Sequence, residues 1–325
     1  MVYFEKSPIC PLNIESGQGG NNEYFIKRED LLPFSIGGNK VRIAVEFLED
    51  MRRQGANCMV MYGNSRSNLC RVLANLCYIE KIPCYMVCSM EESGEQIETA
   101  NSRILKWLNV TIVPCLKTEI AKAVEKTFSI IRSRGLIPYY IYGNQFGEGN
   151  EGTAAGAYAK AYREILGQEK KLKLKFDYIF HASGTGATQS GLICGHLMEG
   201  DEREIIGISV SRDKERGTRI IQNGVKEYFH NQKYELSKGW EEQVLLEDSY
   251  LAGGYGQYNE QIAAMIKGQF RENGICLDPT YTGKAFWGMM EYIKKEQICG
   301  KNILFLHTGG TPLFFDALEN MGSIV

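Results

Sequence analysis

The sequence predicts an α/β protein with mainly parallel, twisted sheets flanked by helices. Short apolar runs alternate with longer amphipathic stretches along almost all of the 325 residues, and this alternation is typical of repeated β-α-β units. Clusters of glycine, serine and threonine follow several of the apolar runs. The chain length favours about two domains. In such folds, ligands bind beyond the carboxyl ends of the strands, so the clusters are the first candidates for a site.

The predicted elements follow one another with few interruptions. Strands are expected at 58–63, 83–89, 111–115, 137–143, 176–184, 204–211 and 302–310. Helices are expected at 68–79, 96–108 and 118–134, around 154–165, where small and apolar residues recur at helical spacing, and from about Leu192. No linker rich in proline or glycine marks a domain boundary.

Composition and charge exclude several classes of function. The chain is 44% hydrophobic and 23% charged, and 37 basic residues against 39 acidic ones give a net charge of −2. This balance argues against binding of nucleic acid or an anionic membrane, and favours a small molecule. Ten scattered cysteines and four histidines form neither a disulfide framework nor a metal-ligand pattern. With no signal peptide or membrane span, a soluble, reduced, cytoplasmic protein is expected.

The strongest cluster is 183–191, SGTGATQSG, between an apolar strand and a helix. Glycines let the backbone approach a ligand, and the N–H groups at a helix N-terminus favour an anion such as phosphate. The spacing matches neither the P-loop nor the dinucleotide-binding GxGxxG pattern. Phosphate binding is therefore indicated, with a generic turn as the alternative.

A second cluster, SIGGNK, places Lys40 directly after a Gly-Gly pair and Asn39. Asn39 is expected to cap the following helix through its side chain. A lysine at this position is ordinarily solvated. If it were buried beside a phosphate site, its amine would lose its charge and could act as a nucleophile or form a Schiff base.

Two further clusters follow predicted strands. In 63–68, GNSRSN, the residues Ser67 and Asn68 could cap a helix or bind a ligand. In 307–310, HTGG, the residue His307 is more simply a structural histidine than a catalytic base. The segment 277–284, LDPTYTGK, is a possible companion.

Taken in order, the segments KREDL, GGNK, SN, SGTG, LDPTYTGKA and HTGG resemble those of the fold type II pyridoxal-phosphate (PLP) enzymes. They are most similar to the family of D-cysteine desulfhydrase and 1-aminocyclopropane-1-carboxylate (ACC) deaminase. The resemblance spans Lys27 to Gly310 and implies a tryptophan synthase β-like fold. It also implies a large PLP-binding domain at 1–50 and 150–325, a small domain at 51–149, and a homodimer.

The resemblance also implies roles for individual residues. Lys40 would attach PLP through its amine and, once freed, would act as the base at the substrate Cα. Further cofactor contacts would come from Asn68, from Thr308 at the ring nitrogen, and from a phosphate cradle made of Gly184, Thr185, Gly186, Ala187 and Thr188. The substrate carboxylate would be held by Ser67 and neighbouring backbone amides, so the predicted substrate-binding residues are Arg66, Ser67, Asn68 and Leu69, of which Arg66 and Leu69 differ from the family pattern. The two active-site tyrosines would be Tyr255 and Tyr281.

The predicted reaction is loss of a β leaving group from a small amino acid, giving a 2-oxo acid and ammonia, with D-cysteine as the first candidate. ACC deaminases carry a glutamate where this chain has Thr282, so ring opening of ACC is disfavoured. The alternatives are β-replacement, as in cysteine synthase relatives, racemisation, and a PLP-binding protein without catalysis. A nicotinamide oxidoreductase is disfavoured by the glycine spacing.

The chain departs from the family pattern at three places. The family has QSNH where this chain has Arg66 to Leu69, and Arg66 adds a cation that could bind a second carboxylate bidentately. Ala187 replaces a glycine of the phosphate loop, which is tolerable where φ is negative. The stretch 142–146, YGNQF, resembles the cysteine synthase branch or is a structural turn. These departures leave room for a dicarboxylic or bulkier substrate, or for β-replacement.

Overall fold

The computed structural model describes residues 4–14, 21–90 and 98–321. Within these ranges the strands are β1 (Ile9–Pro11), β2 (Glu23–Arg28), β3 (Cys58–Gly63), β4 (Cys84–Ser89), β5 (Thr111–Cys115), β6 (Pro138–Tyr140), β7 (Tyr178–Ser183), β8 (Glu204–Ser209), β9 (Leu245–Glu247) and β10 (Asn302–His307). The α-helices are α1 (Lys40–Arg53), α2 (Asn68–Ile79), α3 (Ala100–Trp107), α4 (Ile120–Ser133), α5 (Glu151–Leu172), α6 (Ala187–Glu199), α7 (Lys214–Gln232), α8 (Glu260–Asn273), α9 (Thr282–Lys295) and α10 (Thr311–Met321).

Most predicted elements are confirmed, but several boundaries are wrong. The strand expected at 302–310 ends at His307, and the strand expected at 204–211 ends at Ser209. Three further differences have a local cause. The helix expected from about Leu192 begins five residues earlier, at Ala187. Gly186, the residue before it, takes a left-handed conformation (φ 89°), and the loop ends there. The strand expected at 137–143 ends at Tyr140, since the chain turns at Gly143 (φ 84°). The helix expected at 96–108 begins at Ala100, after a capping box formed by Thr99 and Ser102, and 96–97 lie outside the described residues.

The described strands form two sheets, which confirm the α/β class. The larger has the order β1-β2-β10-β7-β8-β9 and is parallel except for β1, which pairs with β2 in the antiparallel sense. The smaller has the order β5-β4-β3-β6 and is parallel throughout. Pro114 lies in β5, an edge strand, where its missing N–H interrupts no ladder.

The large sheet has a hydrophobic core on each face. Along β10, Leu304 and Leu306 join the core shared with the small sheet and with α1, α5 and α6, whereas Ile303 and Phe305 join the core beneath α8, α9 and α10. This alternation follows from the two-residue period of a strand. Helices therefore cover both faces, and the carboxyl edge of the sheet remains available for a site.

The strands of the small sheet all lie between residues 58 and 140, and those of the large sheet all lie outside that range. We propose that the two sheets mark the small domain, 51–149, and the large domain, 1–50 and 150–325. Helix α1 runs across the boundary between them. Hydrogen exchange in which both sheets open as one cooperative unit would argue against this division.

The carboxyl ends of the large-sheet strands bring the predicted clusters to one edge. In the strand register His307 of β10 faces Arg28 of β2, and Ser183 of β7 faces Ser209 of β8. The HTGG and SGTG segments follow these strands directly. Among the residues that the structure describes, no helix combines the length and apolarity needed to cross a bilayer.

Candidate active site

Asn39 joins three of the predicted clusters. Its side-chain Nδ2 donates to Thr188 Oγ1 at 2.9 Å, and its backbone N donates to the Thr308 carbonyl at 3.0 Å. Gly38 permits this approach, because a Cβ built there would lie 2.4 Å from the Thr308 oxygen. Asn39 occupies the N-cap position of α1 but makes no side-chain cap bond. The expected cap is therefore wrong, since the amide is used to bridge to Thr188.

Lys40 begins α1 and lines a cavity of about 60 Å³. Leu69, Thr185 and Ala187 line the same cavity, so the lysine shares it with the SGTG loop. Desolvation of the amine lowers the pKa of Lys40 to about 8, and no carboxylate among the described residues opposes this effect. With this pKa, about one tenth of the amine is neutral at pH 7 and about half at pH 8, and the neutral form is the one that a nucleophile or base requires.

The N-terminus of α6 is the candidate anion cradle. The first three residues of the helix, Ala187 to Gln189, have backbone N–H groups with no helical acceptor. Together with the helix dipole, these N–H groups favour a negatively charged group. Ala187 is not among the residues with positive φ, so its methyl group causes no backbone strain at this position.

Tyr255 and Tyr281 form a hydrogen-bonded pair. Their hydroxyl oxygens are 2.6 Å apart and their ring centroids 5.8 Å apart. Tyr281 also lies beside the SGTG loop, because a Cβ built on Gly184 would be 3.8 Å from its ring. Burial raises the pKa of both phenols, most strongly that of Tyr281. Both tyrosines are therefore neutral and able to donate a hydrogen bond.

Two charged residues that the sequence analysis did not single out position this pair. The Asp278 carboxylate accepts the N–H groups of Thr280, Tyr281 and Thr282, and burial raises its pKa to about 6. Lys284 Nζ donates to the Leu251 carbonyl at 2.7 Å and the Gly254 carbonyl at 2.6 Å. It thereby holds the loop that carries Tyr255. An Asp followed by threonines two and four positions later could have indicated the turn.

The residues 66–69 lie at the carboxyl end of β3 and the start of α2. Ser67 Oγ accepts the Cys70 N–H at 3.2 Å, so this serine caps the helix. Asn68 Oδ1 accepts from Asn101 Nδ2 at 2.9 Å, which fixes its amide and leaves the NH₂ group to serve as a donor. Leu69 lines the Lys40 cavity.

A fully buried arginine supports the loop that precedes Lys40. Phe34, Ser35 and Ile36 all have φ between 57° and 59°, a conformation that costs free energy in non-glycine residues. Arg71 donates to the Ser35 carbonyl, to the Ser35 hydroxyl at 3.0 Å and to the Ile36 carbonyl at 3.2 Å. Its Nε donates to Asn101 Oδ1 at 2.7 Å. Arg71 therefore stabilises the strained loop from within the core.

His307 is a structural residue, as predicted. It is fully buried, its Nδ1 accepts the Gly309 N–H at 3.1 Å, and its Nε2 lies 3.2 Å from the Cys276 carbonyl. Desolvation lowers its pKa, so the ring is neutral. Thr308, the next residue, is also buried and contacts the Lys40 loop through its carbonyl.

Comparison with known proteins identifies the family. Residues 3–309 match the family described as pyridoxal-phosphate dependent enzyme. The chain belongs to this family. It is 33% identical over 305 residues to a D-cysteine desulfhydrase of Yersinia pestis (strain Pestoides F), with 90% of this chain and 88% of the relative covered.

Solved structures agree with this result. The crystal structure of an ACC deaminase homologue has a TM-score of 0.85 at 28% identity, and the match covers 99% of this chain and 94% of that one. A hydrogen sulfide-producing enzyme of Fusobacterium nucleatum shares the fold, with a TM-score of 0.64 at 18% identity and coverage of 94% and 95%. The expected fold type II PLP enzyme is confirmed.

The described residues fit PLP, the cofactor of this family. The cofactor needs an amine, a phosphate site and a donor for its 3′ oxygen. The cavity supplies the Lys40 amine with its lowered pKa and the N-terminus of α6, and Asn68 presents an oriented amide.

Proposed function

We propose that the protein is a PLP-dependent lyase that removes a β leaving group from a small amino acid and releases a 2-oxo acid and ammonia. D-cysteine is the first candidate substrate. The observation that carries the proposal is the Lys40 amine, desolvated and without a carboxylate partner, in one cavity with the anion cradle of α6. The similarity to D-cysteine desulfhydrases over 90% of the chain supports the same reaction class.

PLP, when bound through Lys40, supplies an electron sink for negative charge at the substrate Cα. The Asn68 amide would donate to the cofactor's 3′ oxygen, and the cradle from Gly184 to Thr188 would hold its phosphate. The Thr308 hydroxyl would lie at the ring nitrogen and, unlike a carboxylate, would not fully protonate it. Such a contact would favour prompt loss of the leaving group.

Side chains of the protein would bind the substrate and transfer protons. Ser67 and the N–H groups at the start of α2 would bind the substrate carboxylate. The Lys40 amine, with its pKa near 8, would accept the Cα proton. Tyr255 and Tyr281 share a hydrogen bond between neutral phenols and can give a proton to the departing group.

Ring opening of ACC is not expected. Thr282 is fully buried, and its hydroxyl donates to Asp278 at 2.9 Å. It offers the cofactor no carboxylate, in contrast to the glutamate of ACC deaminases.

The decisive experiment measures pyruvate, ammonia and sulfide from the PLP-loaded protein with D-cysteine, L-cysteine or ACC. We expect the three products in equal amounts from D-cysteine without any cosubstrate, and no 2-oxo acid from ACC. Lys40→Ala serves as the inactive control. A new amino acid that forms only with a second nucleophile would establish β-replacement instead, and inversion of the amino acid without pyruvate would establish racemisation. Absence of turnover with intact PLP binding would indicate a non-catalytic protein.

β-Replacement is the second candidate because 142–146 resembles the cysteine synthase branch. Asn144 Oδ1 accepts the N–H groups of Phe146 and Glu148, which is how an Asx turn is built. This use of Asn144 as a turn former favours elimination.

We also propose a cytoplasmic homodimer. Ten free cysteines fit a reducing compartment, and the dimer is inferred from the family resemblance. Sedimentation should give a single species of twice 36.7 kDa. A concentration-independent monomer would contradict the dimer.

A further inference from the structure

Two arginines flank the tyrosine pair. We propose that Arg66 and Arg212 form an anion subsite for the substrate side chain, and that the preferred substrates carry a negatively charged β leaving group such as a sulfate or phosphate ester. The inference rests on the proposed elimination reaction and names its substrate class.

Arg66 reaches toward the loop that carries Tyr255. Its Cζ would lie 3.8 Å from a Cβ built on Gly256, and its charge acts to lower the pKa of the Tyr255 phenol against the larger effect of burial. The backbone of Arg66 is fixed on both sides. Its N–H donates to Asn64 Oδ1 at 3.0 Å, and its carbonyl accepts from Asn101 Nδ2 at 3.0 Å. The guanidinium is therefore held at the Tyr255 side of the pair.

Arg212 follows β8 and reaches the opposite side. Its Nη1 donates to the Gly184 carbonyl, at the start of the anion cradle. The Ser209 hydroxyl donates to the Arg212 carbonyl at 2.6 Å and accepts its N–H at 3.2 Å, which fixes the turn. No carboxylate among the described residues interacts with this half-buried guanidinium, and desolvation lowers its pKa. A cation withdrawn from water without a counter-charge is costly unless an anion binds beside it.

A series of neighbouring residues in the candidate site leads from the Arg212 guanidinium to that of Arg66. Arg212 donates to the Gly184 carbonyl, and a Cβ built on Gly184 would lie 3.8 Å from the Tyr281 ring. Tyr281 is hydrogen-bonded to Tyr255, and a Cβ built on the neighbouring Gly256 would lie 3.8 Å from the Arg66 guanidinium. A substrate with its carboxylate at Ser67 and its leaving group at the phenols would place that group between the two cations. Arginine binds sulfate and phosphate oxygens bidentately.

The reaction balances without a further reactant except water. With serine O-sulfate, Lys40 takes the Cα proton, the Cβ–O bond breaks, and sulfate leaves with the electron pair. Water then releases ammonia and pyruvate. Negative charge on the leaving oxygen grows as the bond breaks, so the cations stabilise the transition state more than the bound substrate.

The test compares serine O-sulfate with β-chloroalanine, whose side chain is uncharged, in both enantiomers and with the PLP-loaded enzyme. We expect Arg66→Gln and Arg212→Gln each to lower the ratio of kcat/KM for the sulfate ester to that for β-chloroalanine by about tenfold or more. Arg271→Gln, which removes an exposed arginine on α8, is the matched control and should leave the ratio unchanged.

A binding experiment supplies a second readout that needs no turnover. Calorimetric titration of the holoenzyme should show tighter binding of 3-sulfopropanoate than of butanoate, and both variants should lose most of that preference. An unchanged ratio and an unchanged binding preference would overturn the subsite. An equal loss for both substrates together with weaker PLP binding would also overturn it, because Arg212 would then serve the cofactor loop. If β-chloroalanine yields no pyruvate, the elimination reaction itself fails, whereas pyruvate without any charge preference rejects only the subsite.

Discussion

Helix α1 has buried charged side chains in two regions, and the charges are ion-paired in one region but not in the other. Along its side, Arg42 donates to Glu29 at 2.7 and 2.9 Å and to Glu164 at 3.0 Å, and Lys27 donates to Glu164 at 2.7 Å. At its N-terminus, Lys40 forms no ion pair with a described carboxylate, although Glu151 lines the same cavity. The first region holds the helix against β2 and α5. The second opens into the cavity of the candidate site.

The pKa values show what this difference means. Burial alone would raise the pKa of Glu29, but Arg42, Lys27 and Ser7 lower it to about 2, so its charge is permanent. Desolvation lowers the pKa of Lys40 to about 8, so the charge of its amine depends on pH near that value. Paired charges fasten the helix, and the unpaired amine can exchange a proton during a reaction.

The largest expected effect comes from removing the unpaired amine. Lys40→Ala should lower kcat for 2-oxo acid formation by about 10³-fold or more, because both the cofactor attachment and the base are lost. Its urea midpoint should stay close to that of the wild type. Lys126→Ala, on the exposed face of α4, is the control. Turnover that survives in Lys40→Ala would refute the assignment.

Breaking the paired region should act on stability instead. Arg42→Met leaves Glu29 buried with reduced compensation and should cost about 3–5 kcal/mol in the free energy of unfolding, measured in urea. The double variant Glu29→Gln with Arg42→Met should recover part of this loss, since no unpaired carboxylate remains at Glu29. If the double variant were as unstable as the sum of the single ones, the charges would not be coupled.

Arg71 tests whether a buried cation can serve the site through backbone contacts. Arg71→Met leaves the Ser35 and Ile36 carbonyls without their donor and should cost about 1–3 kcal/mol. It should also weaken PLP binding, which is read from the cofactor's absorbance, because the loop leads into Lys40. Arg71→Lys retains the charge but loses the planar fork, so stability should recover more than PLP affinity does. Equal recovery of both would assign Arg71 a purely structural role.

The smallest effect is a dependence of stability on pH in the cofactor-free protein. The folded pKa of Lys40 is about 8, below the unfolded value of 10.5. Between these values the unfolded chain binds more protons, so the free energy of unfolding should rise with pH from 8 to 10.5. Relative to Lys40→Met, the wild type should gain about 1–2 kcal/mol between pH 8 and about pH 9.5. Parallel pH profiles of the two proteins would contradict the lowered pKa.

Local patterns and long-range contacts differed in how far the sequence could predict them. The bounds of α2, β3 and β5 follow from apolar runs and cap residues, and they agree with the prediction to the residue. The meeting of GGNK, SGTG and HTGG follows from parallel strands that end at one edge. The contact between Arg71 and Ser35 joins residues 36 positions apart, and it depends on the left-handed conformation of three non-glycine residues, 34–36, which no sequence pattern indicates.

Side-chain orientation set the other limit. Asn39 was expected to cap its own helix, and a pattern cannot show that Thr188 accepts its amide hydrogen instead. Similarly, Arg212 sits in a stretch of mixed charge, and only the fold places its guanidinium beside Gly184.

Helix α9 links the two phenols mechanically. Tyr281 stands at its N-cap, and Lys284, one turn further on, holds the carbonyls of the loop that bears Tyr255. Any rotation of this helix would move both hydroxyl groups together and keep them 2.6 Å apart. The two tyrosines would therefore move together as one unit if the cleft opened or closed. A leaving group would then meet the same two proton donors in the open and in the closed cleft.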